Sequence, residues 1–470
     1  MFINRLEKFS EKYFIVFLLV ICLLAGINLF YNLDNTPVED WDESRHGVTA
    51  FEMLQNKEYI VTTYNNNVDY WNLKPPLGAW LIALSYKIFG FSVFALRFPS
   101  AFSALLTVLI AMVITKKQAG SLSAIVAGIV LATTTSFISA HSGRTGDYDA
   151  IFTLFTFVCL IFLYLAKEKQ WYLYFSALFL SLAILLKSYA AIQIFAVAFL
   201  YLAFTKQLLK ISLRYYFYSA VIVILPVLLW AIARFKYDGF EFFKQMWIAD
   251  VLKRSTETIE GHSGGLFYYI QYIHDNNGWV YLLLVTILLG LTFIRFYEHK
   301  FLFFCMLSIT VPIVLFSVAE SKLYWYINTT YPFMSLLIGC LFVLILRNSR
   351  PIIKILMVLL FAVGLYKSQA QNIHEFKNVQ PYSTYAILKQ FYEQNNDPNV
   401  FVYMTQGDQQ AQLFMSKVVF GRKNTTYTTK EEFISSGQGY IILPISDKEY
   451  IKSNDLTIVL EDSRWLIARK

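Results

Sequence analysis

Runs of roughly 18 to 22 apolar residues recur along this chain, and each is long enough to cross the hydrocarbon core of a bilayer. Of the 470 residues, 57% are apolar and 15% are charged, whereas a soluble globular protein carries about 25% charged residues. The pattern predicts a polytopic α-helical membrane protein and argues against a soluble enzyme.

Eleven apolar segments are predicted to span the membrane, at residues 14–32, 97–115, 120–138, 150–166, 171–186, 189–205, 215–233, 279–296, 301–318, 324–346 and 352–368. Lys and Arg residues concentrate in alternate connections, as expected of the cytoplasmic side. We therefore predict a cytoplasmic N-terminus and an extracytoplasmic C-terminus. Residues 1–13 are basic and no small-residue cleavage site follows, so we expect an uncleaved anchor.

The extracytoplasmic side is predicted to receive the loop 33–96, several shorter connections and the C-terminal tail. We expect a transmembrane domain at residues 1–370 and a small extracytoplasmic α/β domain at residues 371–470. The tail has strand-like runs at Phe401–Met404, Tyr440–Pro444 and Thr457–Leu460.

The net charge and the cysteines argue against a nucleic-acid partner, a disulfide framework and a cysteine metal cluster. The net charge is +8, but the basic residues form no single patch, so we predict contact with membrane lipids and none with nucleic acid. The four cysteines (Cys22, Cys159, Cys305 and Cys340) lie inside apolar runs. They are expected to be buried thiols rather than a disulfide framework or a metal cluster.

Charge is concentrated in the first external loop, in the stretch PVEDWDESRHGVTAFEML from Pro37 to Leu54. The stretch predicts a short helix against the membrane, with Asp42, Glu43 and Arg45 near its start and His46 one turn after Asp42. The acidic residues could also serve only to favour the helix N-terminus through its dipole.

Lys74 stands before two prolines in the stretch NLKPPLGAW, which fix an extended approach to the helix that follows. A lysine held at the membrane surface can meet a lipid phosphate as a point charge. The alternative is a lysine that extends towards the headgroups with no further role.

Further ionisable residues mark other junctions on the same predicted side. Arg144, Asp147 and Asp149 lie within six residues in HSGRTGDYDAIFTLF, where one span ends and the next begins. Charges at such positions usually mark a function or a tight pair, although Asp149 could simply cap a helix. The set continues with Lys187, Lys322, Tyr326 and His262; His262 is either a ligand or a surface histidine, and the tyrosines near Lys322 suit an aromatic belt.

Together these residues predict transfer of a group from a lipid-borne phosphate. Cations stabilise the charge that develops on a phosphate leaving group, and a carboxylate accepts the proton of the attacking nucleophile. The competing hypothesis is a transporter or flippase for an anionic lipid-linked sugar. Transporters usually place charges at mid-membrane on broken helices in two matching halves, and the sequence has neither feature.

The ordered motifs DESRHGVTAFEML, LKPPLGAWLIALSYKIFGFSVFALRFPSA, GRTGDYDAIFTLF, LLKS and SKLYWYINTTYP resemble the protein mannosyltransferase and aminoarabinose transferase superfamily. The resemblance covers residues 1 to about 370 and implies a GT-C glycosyltransferase of the bacterial inner membrane. Such an enzyme would move a sugar from a polyprenyl-phosphate donor to a lipid, glycan or protein hydroxyl, with inversion at the sugar.

The resemblance also implies roles for individual residues. Asp42 would be the acceptor base or the ligand of a divalent metal ion, with Glu43 beside it and Asp149 as a second acidic residue. Donor phosphate would be contacted by a basic set with one tyrosine: Arg45, Lys74, Arg144, Lys187, Lys322 and Tyr326. Leu73 stands where many aminoarabinose transferases carry an acidic residue, and Gly264 and Gly265 stand where a proline is common after the position of His262.

Overall fold

The computed structural model describes residues 2–139, 141–253, 257, 261–293, 299–377, 383–395, 397, 400–405, 409–436 and 439–470. Most of the described chain forms a bundle of apolar helices. Numbered in chain order with all helices, the bundle helices are α2 (Phe14–Phe30), α5 (Val93–Ala119), α6 (Ser121–Thr133), α8 (Asp149–Leu165), α9 (Tyr172–Lys187), α10 (Ile192–Phe204), α11 (Leu213–Asp238), α14 (Val280–Phe293), α15 (Lys300–Ser317), α16 (Tyr331–Asn348) and α17 (Pro351–Lys377).

The other helices lie at the ends of the bundle or in the C-terminal region. They are α1 (Phe2–Lys12), α3 (Asp42–Asn56), α4 (Leu77–Phe89), α7 (Thr135–Ile138), α12 (Glu241–Met246), α13 (Tyr268–Asn276), α18 (Ser383–Gln394), α19 (Gln410–Phe414), α20 (Lys430–Ser436) and α21 (Lys448–Ser453). Short 3-10 segments occur at Ser188–Ala191, Tyr324–Thr330 and Ile445–Asp447, and π-helical turns at Trp247–Lys253 and Met415–Val419.

Each predicted apolar segment coincides with a helix, so the polytopic helical fold is confirmed. Residues 294–296 of one predicted segment lie outside the described residues. Within the described chain, six helical stretches are long and apolar enough to cross a membrane, or seven if α1 and α2, which meet at a 78° bend, count as one span. This length criterion gives fewer spans than the eleven predicted, because helices such as α6 and α8 are shorter than 18 residues and α9 and α10 are counted together.

Helices α9 and α10 form a hairpin, although together they make one apolar stretch of 33 residues. Near the start of α9, the ring of Phe175 lies 5.1 Å from Phe162, which is near the end of α8. The ring of Tyr201, near the end of α10, lies 6.0 Å from Tyr164 on the same part of α8. The chain therefore reverses at Ser188–Ala191, as predicted for a turn at Lys187.

Close packing sets the centre of the bundle. Helix α16 is almost fully buried, and its Gly339 faces α6 so closely that a Cβ would lie 2.4 Å from the carbonyl oxygen of Ser123. Small residues at such contacts let helix backbones approach each other within a membrane. Cys159, Cys305 and Cys340 are buried as predicted, whereas Cys22 is partly exposed.

A five-stranded sheet forms the C-terminal domain, with strands β3 (Val402–Thr405), β4 (Thr425–Thr428), β5 (Tyr440–Pro444), β6 (Thr457–Glu461) and β7 (Trp465–Arg469). The strand order is β4-β3-β5-β7-β6; β3 pairs in parallel with β4 and β5, and the other pairs are antiparallel. The predicted strands correspond to β3, β5 and β6, whereas β4 and β7 were not predicted.

The side chains of this sheet alternate between two apolar clusters, as the pleat requires. Ile442 and Ile467 join the large core that also contains Phe391 of α18. Ile441 and Leu466 face the other way, into a second cluster that contains Phe433 of α20 and Ile451 of α21. Helices therefore cover both faces of the sheet.

Helix α3 lies where the bundle meets this domain. It packs against α4, against the short hairpin of β1 (Thr63–Tyr64) and β2 (Asn67–Val68), and against α19. Because α3 begins at Asp42, its first turn carries the charged residues singled out in the sequence.

Candidate active site

The first pair of the site joins the start of α3 to the loop before α4. Lys74 Nζ donates a hydrogen bond to Asp42 Oδ1 at 2.8 Å, and each side chain is about a quarter exposed. Pro75 and Pro76 fix the chain between Lys74 and α4. Burial opposes ionisation of Asp42, but the charge of Lys74 and its hydrogen bond outweigh it, so the pKa of Asp42 lies below its usual value.

His46 lies one turn further along α3 and supports Lys74 from the protein side. Its ring stacks on Tyr148 at 3.8 Å, and Nδ1 lies 3.3 Å from the carbonyl oxygen of Gly146. A carbonyl oxygen only accepts, so Nδ1 carries the proton and Nε2 is free to accept from Lys74 Nζ at 3.4 Å. Burial and the charge of Lys74 lower the pKa of His46 to about 3, which makes the imidazole neutral at physiological pH.

A second histidine, His141, lies in the loop between α7 and α8 and pairs with Asp147 of the same loop. His141 Nδ1 lies 3.1 Å from Asp147 Oδ2, and the His141 ring stacks on Trp325 at 3.7 Å. Burial favours the neutral imidazole, but the Asp147 carboxylate outweighs it and raises the pKa of His141 to about 9. Thr145 Oγ1 also donates to Asp147 Oδ2, at 2.8 Å.

The second acid–base pair joins the adjoining ends of two bundle helices. Lys187, the last residue of α9, donates from Nζ to Oδ2 of Asp149, the first residue of α8, at 2.7 Å. Both side chains are largely buried. We call the Asp42–Lys74 and Asp149–Lys187 pairs the cavity pairs, because both line the same cavity.

That cavity has a volume of about 500 Å³ and is otherwise mostly apolar. Its lining includes Phe152, Ile192, Trp247, Leu315, Phe316, Leu323, Trp325 and Tyr326. Two ion pairs at an apolar cavity suit a ligand with an anionic head and a hydrocarbon chain. The structure thus brings together five predicted residues: Asp42, Lys74, Asp149, Lys187 and Tyr326.

Asp42, His141 and Asp147 are arranged so that they could hold a metal ion. One ligand atom from each lies within 4.8 Å of the others. Asp147 Oδ1 is buried and accepts no hydrogen bond from the described residues. Two carboxylates and an imidazole form a donor set that divalent ions such as Mn²⁺ or Zn²⁺ accept, so these residues fit a divalent ion. Leu73 is buried in an apolar cluster and contributes no ligand.

Glu43 does not reach the cavity, which corrects its prediction as a catalytic residue. Its carboxylate pairs with Arg97, with Nε–Oε1 at 2.6 Å and Nη2–Oε2 at 2.9 Å, and both side chains are fully buried. The backbone N–H of Gly146 also donates to Glu43 Oε1, at 2.7 Å. Glu43 therefore ties α3 to α5 and to the loop that carries Asp147.

Arg45 is also placed away from the cavity, against its prediction as a phosphate ligand. It donates to Asp69 Oδ1 at 2.8 Å, and its guanidinium lies 3.9 Å from the ring centre of Tyr64 and 4.6 Å from that of Trp71. We call the Glu43–Arg97 and Arg45–Asp69 pairs the scaffold pairs.

Arg144 and Lys322 do not line the cavity either, and nor does His262, for which the sequence left a ligand and a surface histidine open. Arg144 Nη1 donates to the carbonyl oxygens of Asn28 and Leu29 at the end of α2, where a cation suits the helix C-terminus. Lys322 Nζ donates to the carbonyl oxygen of Ala319 at 2.6 Å. His262 is exposed, and its ring lies 6.4 Å from that of Trp325.

Known proteins resemble this chain in sequence and in fold. Residues 73–230 match the family described as dolichyl-phosphate-mannose-protein mannosyltransferase. The fold matches the crystal structure of ArnT from Cupriavidus metallidurans bound to undecaprenyl phosphate, with a TM-score of 0.77 and 17% identity over 97% of this chain and 98% of that one.

The chain therefore has the membrane GT-C fold.

Two further comparisons bear on this GT-C protein. The undecaprenyl phosphate-alpha-4-amino-4-deoxy-L-arabinose arabinosyl transferase of Pectobacterium atrosepticum is 26% identical, over 68% of this chain and 58% of its own length. The chain spans between about half and two thirds of the length of several curated relatives. The oligosaccharyltransferase of Archaeoglobus fulgidus in complex with Zn and sulfate has a TM-score of 0.54 and 11% identity, over 92% of this chain and 68% of that one.

Sequence reasoning did not assign His46, His141 and Arg97, and each left a different signal. His46 is one helical turn from Asp42, a spacing that places both on one side of α3. His141 opens the motif that contains Asp147 and Asp149. Arg97 is a lone cation at the start of a predicted span, where a charge usually has a partner.

Proposed function

We propose that this GT-C protein transfers a sugar from a polyprenyl-phosphate donor to an acceptor hydroxyl of a lipid, glycan or protein. The supporting observation is the Asp42–Lys74 pair at a largely apolar cavity that also contains Asp149 and Lys187. The cavity would hold the phosphate and the first part of the hydrocarbon chain, with Tyr326 among the residues that contact it.

In the proposed reaction, Asp42 takes the proton of the acceptor hydroxyl as the hydroxyl oxygen bonds to the anomeric carbon of the sugar. The bond between that carbon and the phosphate oxygen breaks, and the electron pair leaves with the polyprenyl phosphate. Lys74 and Lys187 stabilise the resulting negative charge, since ammonium groups at a water-poor site act strongly on developing anions. Attack from the side opposite the phosphate inverts the anomeric carbon.

We further propose that Asp42, His141 and Asp147 hold a divalent metal ion. Bound there, the ion would supply Lewis-acid stabilisation of phosphate charge. Addition of Mn²⁺ or Zn²⁺ to metal-stripped protein should raise the melting temperature, because a ligand that binds only the folded state stabilises it. His141→Ala should abolish this shift; an equal shift in that variant would remove the metal proposal without touching the transfer reaction.

The membrane arrangement completes the proposal. The protein would lie in a bacterial inner membrane, with the N-terminus cytoplasmic and both the active site and residues 371–470 outside. Reporter fusions after Thr205 and after Lys470 should give opposite sides. Fusions on the same side would contradict this topology.

Transfer is tested with purified protein in liposomes that contain undecaprenyl phosphate carrying radiolabelled mannose or 4-amino-4-deoxy-L-arabinose, supplied with envelope lipids and glycans as acceptors. We expect the label to leave the donor and free undecaprenyl phosphate to appear, and Asp42→Asn to abolish both. A flippase would move the labelled lipid between leaflets without cleaving it. Transbilayer movement with no release of undecaprenyl phosphate would therefore replace the glycosyltransferase proposal.

A further inference from the structure

Among the described residues, the C-terminal domain packs on the helix that carries Asp42 mainly through one short segment. This segment, which we call the C-terminal wedge, consists of α19 and the π-helical turn after it, residues Gln410–Phe414 and Met415–Val419. Most of its side chains are buried, including polar ones. The wedge contacts α3 at its start, its middle and its second half.

The middle contact leaves no space between the wedge and the backbone of α3. Phe414 is fully buried, and a Cβ on Gly47 would lie 2.4 Å from its ring. Gly47 immediately follows His46, which supports Lys74. Glycine is therefore required at this position, and the Phe414 ring fixes the distance between the wedge and α3.

The contact in the second half of α3 is a buried ion pair. Lys417 Nζ donates to Glu52 Oε1 at 2.6 Å, and both side chains are at most 4% exposed. The same carboxylate accepts from Thr63 Oγ1 at 2.8 Å and from the backbone N–H of Asn66 at 3.0 Å. Glu52 thus joins α3, the β1–β2 hairpin and the wedge. Without Lys417 it would be a buried anion with no cation beside it, which is unfavourable.

The wedge also contacts the turn before α3, where the local sequence gives the helix no side-chain cap. Trp41, the residue before Asp42, has φ 68° and gives no side-chain cap to the helix. A non-glycine residue in that conformation is strained and persists only where surrounding contacts hold it. Asp40 Oδ1 accepts the backbone N–H of Ala411 in the wedge at 2.8 Å, so the strained turn is anchored directly before Asp42.

From these three contacts we infer that Lys417 and Phe414 are positioning residues, through which the C-terminal domain holds Asp42 in register with Lys74. The inference rests on the proposed transfer reaction. Lys187 and Asp149 pair with each other in the bundle, and in the described part of the chain their helices α9 and α8 do not pack extensively against the wedge. The wedge should therefore control turnover and leave donor binding unchanged.

The test compares Lys417→Met with Lys448→Met, since Lys448 pairs with Glu461 on the exposed surface of the same domain. Binding of undecaprenyl phosphate is followed by quenching of tryptophan fluorescence, because Trp247 and Trp325 line the cavity. Turnover is normalised to the number of binding-competent molecules. We expect Lys417→Met to lower kcat about 10- to 100-fold, as small displacements of catalytic groups do, with KM and undecaprenyl phosphate affinity unchanged.

Lys417→Arg should recover most of the lost turnover, because it restores a cation beside Glu52. A residue needed only for stability would lower the binding-competent fraction and leave turnover per competent molecule unchanged. That result for Lys417→Met would overturn the inference. If Lys417→Met yields no folded protein, Phe414→Leu is measured in the same way with the same expected split between kcat and KM.

Hydrogen–deuterium exchange of residues 41–56 gives a readout that does not need catalysis. We expect faster exchange in Lys417→Met than in wild type, and no change in Lys448→Met. If wild type transfers no sugar, the proposed function fails while this measurement still decides the positioning role. Unchanged exchange of α3 in both variants would reject that role even in an active enzyme.

Discussion

One cavity pair and one scaffold pair begin at adjacent residues of α3, Asp42 and Glu43, but the two pairs differ in their surroundings. Asp42 and Lys74 are each about a quarter exposed and face the cavity, whereas Glu43 and Arg97 are fully buried. Successive residues on a helix point about 100° apart, so Asp42 and Glu43 are directed to different partners. The charge concentrated at the start of α3 therefore has two kinds of partner: Lys74 at the cavity, where we propose catalysis, and Arg97, which attaches the helix to α5.

Asp42→Asn should separate these two roles most strongly. The substitution keeps the size of the side chain and removes the proton acceptor, and loss of a general base typically lowers the rate about 100- to 10,000-fold. Thermal stability should hardly change, because Asp42 is partly exposed. Turnover of the purified protein, together with a melting curve, checks both parts. Normal turnover in a folded variant would move the base to Asp147 or Asp149.

Arg97→Met should show the opposite behaviour. It leaves the Glu43 carboxylate buried without its cation, and breaking a buried pair in this way costs about 3–5 kcal/mol of stability. We expect a large fall in melting temperature, while the molecules that remain folded bind undecaprenyl phosphate normally. Lys448→Met is the matched control, because its ion pair is exposed and such pairs contribute about 0–1 kcal/mol. Equal melting temperatures for the two variants would contradict the scaffold role.

Lys74→Met tests the other half of the first cavity pair. The variant loses a charge-assisted contact to the donor phosphate worth about 1.5–3 kcal/mol. Its affinity for undecaprenyl phosphate should fall accordingly. Lys74→Arg should recover only part of this loss, because a guanidinium differs in shape and reach. Unchanged affinity in a folded Lys74→Met protein would reduce Lys74 to a lysine that extends towards the headgroups.

The sequence predicted the helical fold and singled out the four residues of the cavity pairs, without their pairing, because both leave local signals. Apolar runs predict the helices. The prolines after Lys74, and the charges at the ends of apolar runs, predict which side chains lie at the membrane surface. Scaffold partners such as Arg97 could not be assigned, since Glu43 and Arg97 are separated by 54 residues and only the folded chain brings them together. Strand β4 was missed for a similar reason: its sequence, TTYT, has no apolar alternation, and its pairing with β3 is a tertiary contact.

Substitution of Arg45 should have the smallest effect on stability, and it tests whether a scaffold residue contacts the donor phosphate. Its guanidinium stacks on Tyr64 and Trp71 while pairing with Asp69, so Arg45→Lys keeps the charge and loses the planar stacking. We expect a loss of about 0.5–1 kcal/mol in stability and no change in undecaprenyl phosphate affinity, measured by tryptophan quenching with Lys74→Met alongside. A scaffold residue can affect the donor only through the shape of the loop, and a lysine at position 45 can still pair with Asp69. An affinity loss as large as that of Lys74→Met would instead mean that Arg45 leaves Asp69 and contacts the phosphate when the donor binds.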